Sequence, residues 1–445
     1  MENQKNSVSM VRALIEAVKS IYRLLIPKPV RARFLAPIIF EIRQYRIKKS
    51  IRKLPSSCHL IVSCAQAGEY ENLLYSKTNR KSTMGSPVLC DPEKGETRLS
   101  SFTGSVPDVF VYRFKNAEAV GSTDSLIFGG KVLHYELSMF RDKHDLKRPD
   151  IFSLSPDKKS AEIFYTSLKI YDNPDTLFIH GLKEHSINYY HWLTEEMPRL
   201  ITIFDALKTP EGRQISGGKK LTVLLDEGMP PQCIEALKIA VDADFNIEYV
   251  PRGVRVRCRE IIYCTPFWLS LDNTRNELEL YEFFVDSEAV AISRNAVMKH
   301  FPQSGKPHRK IYMKRRTNQM RSIINNAEVE KLMASLGFEL VETGGMSFRE
   351  QVELFSQAKI IAGASGAAFT NLLFMRDSSS AVNFYPSHKS TNYYVFQPLA
   401  ECSGTKLIHF LTTPGTKEDS VHSDFYVKLD YLEEKIKQTE GCLND

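Results

Sequence analysis

The segment from Lys359 to Pro386 limits the possible folds most. It reads as a short apolar strand, a turn of small residues from Gly363 to Ala368, a helix from Phe369 to Met375 and a second apolar strand from Ala381 to Tyr385. Just ahead of it, Ser347-Phe-Arg-Glu350 has the form of a capping box. Val352, Phe355 and Ala358 then recur at helical spacing. Helices that alternate with continuous apolar strands point to an α/β unit with a parallel sheet.

Small residues where a strand passes into a helix let a ligand approach the backbone. The N–H groups and dipole at the helix start favour an anion, commonly a phosphate. The same residues also suit a close-packed turn with no ligand. The segment has neither the lysine of a P-loop nor the spacing of a dinucleotide fingerprint, so its chemistry leaves both readings open.

A similar rhythm runs upstream. Leu177 to His180, Lys219 to Asp226, Phe245 to Val250 and Glu260 to Cys264 read as strands, with helices from Asn188 and from Pro231 to Ala240. Asp272 to His300 reads as a long helical segment, and the polar stretch Pro302 to Arg309 as a hinge. Lys310 to Met313, a helix Ala327 to Leu336 and a strand Phe338 to Val341 then open a second unit. Strands are expected at 109–113, 117–121 and 126–135, surface loops at 80–103, and loops with one short helix at 140–165. The expected division is 1–55 (basic, amphipathic), 56–301 (α/β with a strand-rich start), 302–430 (α/β) and 431–445 (polar tail).

The apolar content of 42% and charged content of 25% fit a folded protein. A net charge of +6 over 445 residues suits a phosphorylated substrate or an anionic membrane surface, and no nucleic acid is expected. Residues 8–53 interleave arginines and lysines with apolar residues at helical spacing. They are expected either to lie on an anionic membrane or to pack on the protein or a second copy. No apolar run reaches the length of a membrane span, no secretory leader is evident, and eight cysteines are scattered without metal-ligand grouping. The expectation is a cytoplasmic protein, at most peripheral to the inner face of the plasma membrane, with no metal.

Two clusters carry chemistry. His191 and Glu195 are four residues apart on an expected helix capped by Asn188, so a carboxylate could hold one imidazole nitrogen while the other meets a hydroxyl. A hydrogen-bonded core histidine is the alternative. Pro198 is expected to kink this helix, and Arg199 to meet a phosphate or form a surface ion pair. Lys314-Arg315-Arg316 closes a strand, where guanidinium groups suit a diphosphate; a solvated basic loop is the alternative.

Asn188-Tyr-Tyr-His-Trp-Leu-Thr-Glu-Glu-Met-Pro-Arg-Leu200 and Gly363-Ala-Ser-Gly-Ala-Ala-Phe-Thr-Asn-Leu-Leu-Phe374 resemble the two motifs of glycosyltransferase family 61. Ile311 to Arg315 and Arg321 to Asn325 match its linking segment, and the likeness spans roughly Val106 to Thr413. The resemblance implies two Rossmann-like domains facing across a cleft (glycosyltransferase B type) and an inverting, metal-independent transfer. The donor would be a nucleotide sugar, UDP-linked by expectation, with no further cofactor. The acceptor would be a glycan or lipid-linked saccharide in surface polysaccharide assembly. His191 would be the base, with Glu195 and Asn188 beside it. Arg315, Arg321, Lys314, Ser365, Gly366, Ala367, Ala368, Asn371 and Asn383 would hold the donor, with bracing of its own helix the alternative for Asn371. The chain departs from the family at Ser365, Lys314 and Asn383, where many relatives have histidine, serine and glutamate. A degenerate carbohydrate-binding or membrane-surface scaffold of the same fold is the alternative function.

Overall fold

The computed structural model describes residues 55–67, 72–144, 146, 152–268, 271, 282–315, 321–388, 391–415 and 422–441. The basic region with its membrane expectation lies outside them, as do Arg316, residues 272–281 of the long helical segment, and the last four residues. Within these residues the chain is mixed α/β, with two large sheets.

The second sheet in the chain is the simpler. Glu339–Val341, Arg309–Met313, Ala358–Ala364, Ser380–Pro386 and Lys406–Pro414 lie side by side in that order, all parallel. Runs such as Ile360-Ile361-Ala362 and Ala381-Val382 are buried throughout, as strands covered on both faces require. The order reverses between Arg309–Met313 and Ala358–Ala364. In open parallel sheets ligands bind beyond the carboxyl ends at such a switch point.

In the first sheet, Val254–Cys264, Thr176–Gly181, Lys220–Asp226 and Asn246–Val250 are parallel neighbours. Val109–Val120 pairs antiparallel to Val254–Cys264 and leads into the remaining, mostly antiparallel strands.

Helices Met197–Leu207, Pro231–Val241, Ser287–Met298, Phe348–Ser356 and Gln397–Ser403 lie between the sheets. Leu177, Ile179 and Val223 of one sheet share a continuous apolar core with Ile311, Ile361 and Ala381 of the other. The Pro302 to Arg309 stretch thus joins two halves that are packed together, through a large apolar contact rather than a thin interface.

Four expectations change. Arg80 to Thr103 is not surface loop: Val88–Asp91 adds in parallel to Lys406–Pro414, and Gly95–Arg98 extends that sheet. The expected boundary between 301 and 302 is therefore crossed by a strand from the other side. The strands expected at 109–113 and 117–121 are one strand, Val109–Val120, with Asn116 in the left-handed region. The strand expected at 126–135 folds into a hairpin, because Gly129 and Gly130 both take positive φ. The polar tail from 431 is the helix Leu429–Gly441, whose Leu432 and Ile436 are fully buried one turn apart.

Candidate active site

The first motif begins as expected. Asn188 caps its helix, accepting from the Tyr190 N–H at 2.9 Å. The next turn widens into a π-helix, Trp192–Glu196. Pro198 has no N–H for the Thr194 carbonyl one turn back, and Trp268 Nε1 donates to that carbonyl at 2.8 Å instead. Helix Met197–Leu207 then continues with Pro198 in its first turn.

His191 Nδ1 meets Glu195 Oε1, and Lys183 Nζ meets Glu195 Oε2, so a buried carboxylate lies between imidazole and ammonium. The imidazole is the accessible member, its side chain 20% exposed against 3% for Glu195. Lys183 comes from the loop after Thr176–Gly181. Asp226, at the end of the neighbouring strand, holds that loop: it accepts from the Lys183 N–H at 3.1 Å, Ser186 Oγ at 2.5 Å and the Ser122 N–H at 2.5 Å. Burial nevertheless pushes the Asp226 carboxyl up to about 6.

Arg199 is neither a phosphate contact nor a surface ion pair. It is 1% exposed, holds both oxygens of buried Glu196 at 2.8 and 2.9 Å, and donates from Nε to the Cys264 carbonyl. It ties the first motif to the end of the Val254–Cys264 strand.

At the switch point of the second sheet lies a cavity of about 320 Å³. Its walls are Met313, Lys314 and Arg315 from one strand end, and Ala364 and Gly366–Ala368 after the next. Glu342–Gly344 follow the edge strand, with Tyr189, Pro230 and Gln232 from the first half. Of the residues predicted to hold a donor, Lys314, Arg315, Gly366, Ala367 and Ala368 line it.

Arg315 and Arg321 converge on Ser365. Arg315 Nη1 donates to the Ser365 carbonyl, and Arg321 Nη1 is 3.5 Å from Ser365 Oγ. Each Nε is buried without a hydrogen-bond partner among the described residues. Burial and the Arg321 charge hold the Arg315 guanidinium down to about 10, with Asp424 offsetting part of this. Arg315 rests on the turn itself: a Cβ at Gly366 would stand 3.1 Å from Nη1. Two like charges with spare donors, at a parallel switch point, are chemically suited to an anion.

Four predicted donor residues are not placed at the cavity wall: Arg321, which meets it only through Ser365 and Arg315, and Ser365, Asn383 and Asn371. Ser365 is fully buried beneath the two arginines. Asn383 is fully buried within its strand, between Gly363 and His409 in register, where a ligand in the cavity does not reach it. Asn371, also fully buried, braces: Nδ2 donates to Gln351 Oε1 at 2.9 Å and to the Ala368 carbonyl at 3.1 Å, and Oδ1 accepts from Tyr189. The expected helix after the turn is 3-10, Ala367–Phe374.

Lys183, Tyr189, Gln232, Gln351 and Glu342 were not read from the sequence. Tyr189 stood inside the first motif and could have been singled out; the others are single polar residues brought in by the fold. Asp242, in the Asp242-Ala-Asp244 stretch, takes the left-handed conformation that closes helix Pro231–Val241. The described cysteines are free thiols, and among the described residues no helix is long and apolar enough to cross a membrane.

Among solved structures, E. coli heptosyltransferase WaaC with ADP is similar at 10% identity and a TM-score of 0.26, over 60% of this chain and 98% of its own. No curated protein matches the chain. The model of the family described as Glycosyltransferase 61 matches residues 189–382, from Tyr189 of the first motif through the switch-point turn. Residues 189–382 thus carry a glycosyltransferase family 61 domain, which supports a glycosyltransferase.

Proposed function

We propose that the protein moves a sugar from a nucleoside-diphosphate donor to a hydroxyl of a glycan or lipid-linked acceptor, with inversion at the anomeric carbon and without a metal. The convergence of Arg315 and Arg321 on Ser365 at the switch point is the observation that carries this reading. In a two-domain arrangement of the glycosyltransferase B type, the second half would hold the donor. The first half would present the acceptor.

His191 would take the acceptor's proton. Glu195 engages Nδ1, so the proton would pass to Nε2. The freed oxygen attacks the anomeric carbon as the bond from that carbon to the diphosphate oxygen breaks. The electron pair leaves with the nucleoside diphosphate, whose charge the two guanidinium groups stabilise. Lys183 and Glu195 position the imidazole, and Lys314, Gly366, Ala367 and Ala368 line the diphosphate's seat. A role in surface polysaccharide assembly at the inner face of the plasma membrane, with a UDP-linked donor, follows from the family resemblance and the basic residues 8–53.

The test is calorimetry with a panel of nucleoside diphosphates and nucleotide sugars on the wild type, Arg315→Ala and His191→Ala. One nucleoside diphosphate should bind saturably, lose most of its affinity in Arg315→Ala and keep it in His191→Ala, which should not transfer. Absence of binding by every member to folded wild type would sink the donor site and favour the scaffold.

A further inference from the structure

Glu342 follows the edge strand Glu339–Val341 and lines the same cavity as Arg315. Strand pairing fixes its place. Val341 faces Met313, and the Lys314 N–H donates to the Val341 carbonyl at 2.8 Å, so Glu342 stands beside Lys314 at neighbouring carboxyl ends. Met313 faces Gly363 in turn. The turn that begins at Gly363 is thus two inter-strand spacings from Glu342, about 10 Å. A nucleoside diphosphate covers such a span between its outer phosphate and its ribose.

A carboxylate is a poor neighbour for a diphosphate and a good one for hydroxyl groups. It only accepts, and its two oxygens can take two vicinal O–H donors at once. In doubly wound sheets an acidic side chain at the end of the second strand takes the ribose of a nucleotide whose phosphates lie by the first. Arg309–Met313 is the first strand of this sheet and Glu339–Val341 the second. Asn383 is buried in the sheet and does not line the cavity.

We propose that Glu342 accepts hydrogen bonds from the ribose hydroxyls of the donor nucleotide and selects ribonucleotides over deoxyribonucleotides. This rests on the donor-site reading above. Thr343 and Gly344 continue the cavity wall past it, and the 3-10 turn Thr343–Gly345 then leads the chain away.

The experiment uses calorimetry on the full chain with UDP, ADP, GDP and CDP, then the best binder against its 2′-deoxy analogue. Wild type, Glu342→Gln, Glu342→Ala and Arg315→Ala are compared. Wild type should favour the ribonucleotide about tenfold or more, as hydrogen bonds to a charged group allow. In both Glu342 variants the ribonucleotide should weaken until the two ligands bind within about twofold of each other. Arg315→Ala should weaken both ligands alike and leave their ratio unchanged. Failure of wild type to discriminate, or an undiminished ratio in both Glu342 variants, would overturn the assignment while leaving the donor site standing. No binding of any diphosphate by wild type would remove the donor site and the assignment together. Circular dichroism should show both variants folded as the wild type is.

Discussion

Tyr189 donates its phenolic hydrogen to Asn371 Oδ1 across 2.9 Å, although 182 residues separate them. The bond joins the first motif to the second and sets the helix that carries His191 against the turn that carries Gly366. Asn371 spends its amide on Gln351 and Ala368, so a single buried side chain holds three segments in register.

Removing it should therefore be costly. Asn371→Ala leaves the Tyr189 hydroxyl and Gln351 Oε1 without their partner, and a loss of about 3 kcal/mol in urea unfolding is expected. Tyr189→Phe removes one bond and should lose about 1–2 kcal/mol. An Asn371→Ala protein as stable as wild type would mean that the bridge holds nothing.

Arg315 should behave in the opposite way. Its guanidinium is partly buried beside Arg321, and its proton is held less tightly than usual, so the charge opposes folding. Arg315→Met should keep or raise the melting temperature while nucleoside diphosphate affinity falls at least about tenfold. Pyrophosphate should raise the melting temperature of wild type and have little effect on the variant. A variant that melts several degrees lower would show the arginine to be a structural support.

The imidazole separates binding from chemistry. His191→Ala should lower kcat about 10²- to 10⁴-fold with the donor Kd within about threefold of wild type. Glu195→Gln keeps the shape of the orienting group and loses its charge, so a smaller fall in kcat is expected, again without a change in donor Kd. Equal activity of wild type and His191→Ala would remove the histidine from the mechanism.

Asp226 predicts a pH dependence of stability. Its carboxyl titrates near 6 when folded, above the ordinary value of 3.8. Between those values the folded chain holds a proton that the unfolded chain has released, so this group's contribution to stability falls as pH rises from about 4 to 6. The contribution is level on either side of that window. Asp226→Asn should remove the slope, a difference on the order of 3 kcal/mol across the window. Parallel stability curves for the two proteins would contradict this.

The sequence was most legible where burial is continuous. Ile360-Ile361-Ala362 and Val223-Leu224-Leu225 are buried on both sheet faces, so composition alone marks them as strands. Gly95–Arg98 is exposed throughout, and its Gly-Glu-Thr-Arg has no pattern to read. The terminal helix did carry a signal, Leu432 and Ile436 one turn apart among charges, which a polar composition obscured. In the site, the His191–Glu195 pair followed from helical spacing, because the two residues share one turn. Lys183 reaches Glu195 from a separate loop, a contact with no local pattern. Glu196 and Arg199 are three apart, as helical pairs are, but the burial of the pair and the bond from Arg199 to the Cys264 carbonyl come from the fold. Asn383 stands where the resembled family has glutamate, but its side chain is buried within the sheet.

The strand Val88–Asp91 leaves the chain's early residues dependent on its late ones. Val88 faces Ile408 across the sheet, about 320 residues later in synthesis. At about 5–20 residues per second, that partner emerges roughly 15–60 s after Val88 has been made. Until then the hairpin of Val88–Asp91 and Gly95–Arg98 has an open edge, and the sheet it will close does not yet exist. A chain truncated between the two halves would keep that edge open permanently. The early chain thus supplies a hairpin to a sheet made otherwise of late residues, and its pairing edge stays uncovered for most of the time the ribosome takes to finish the chain.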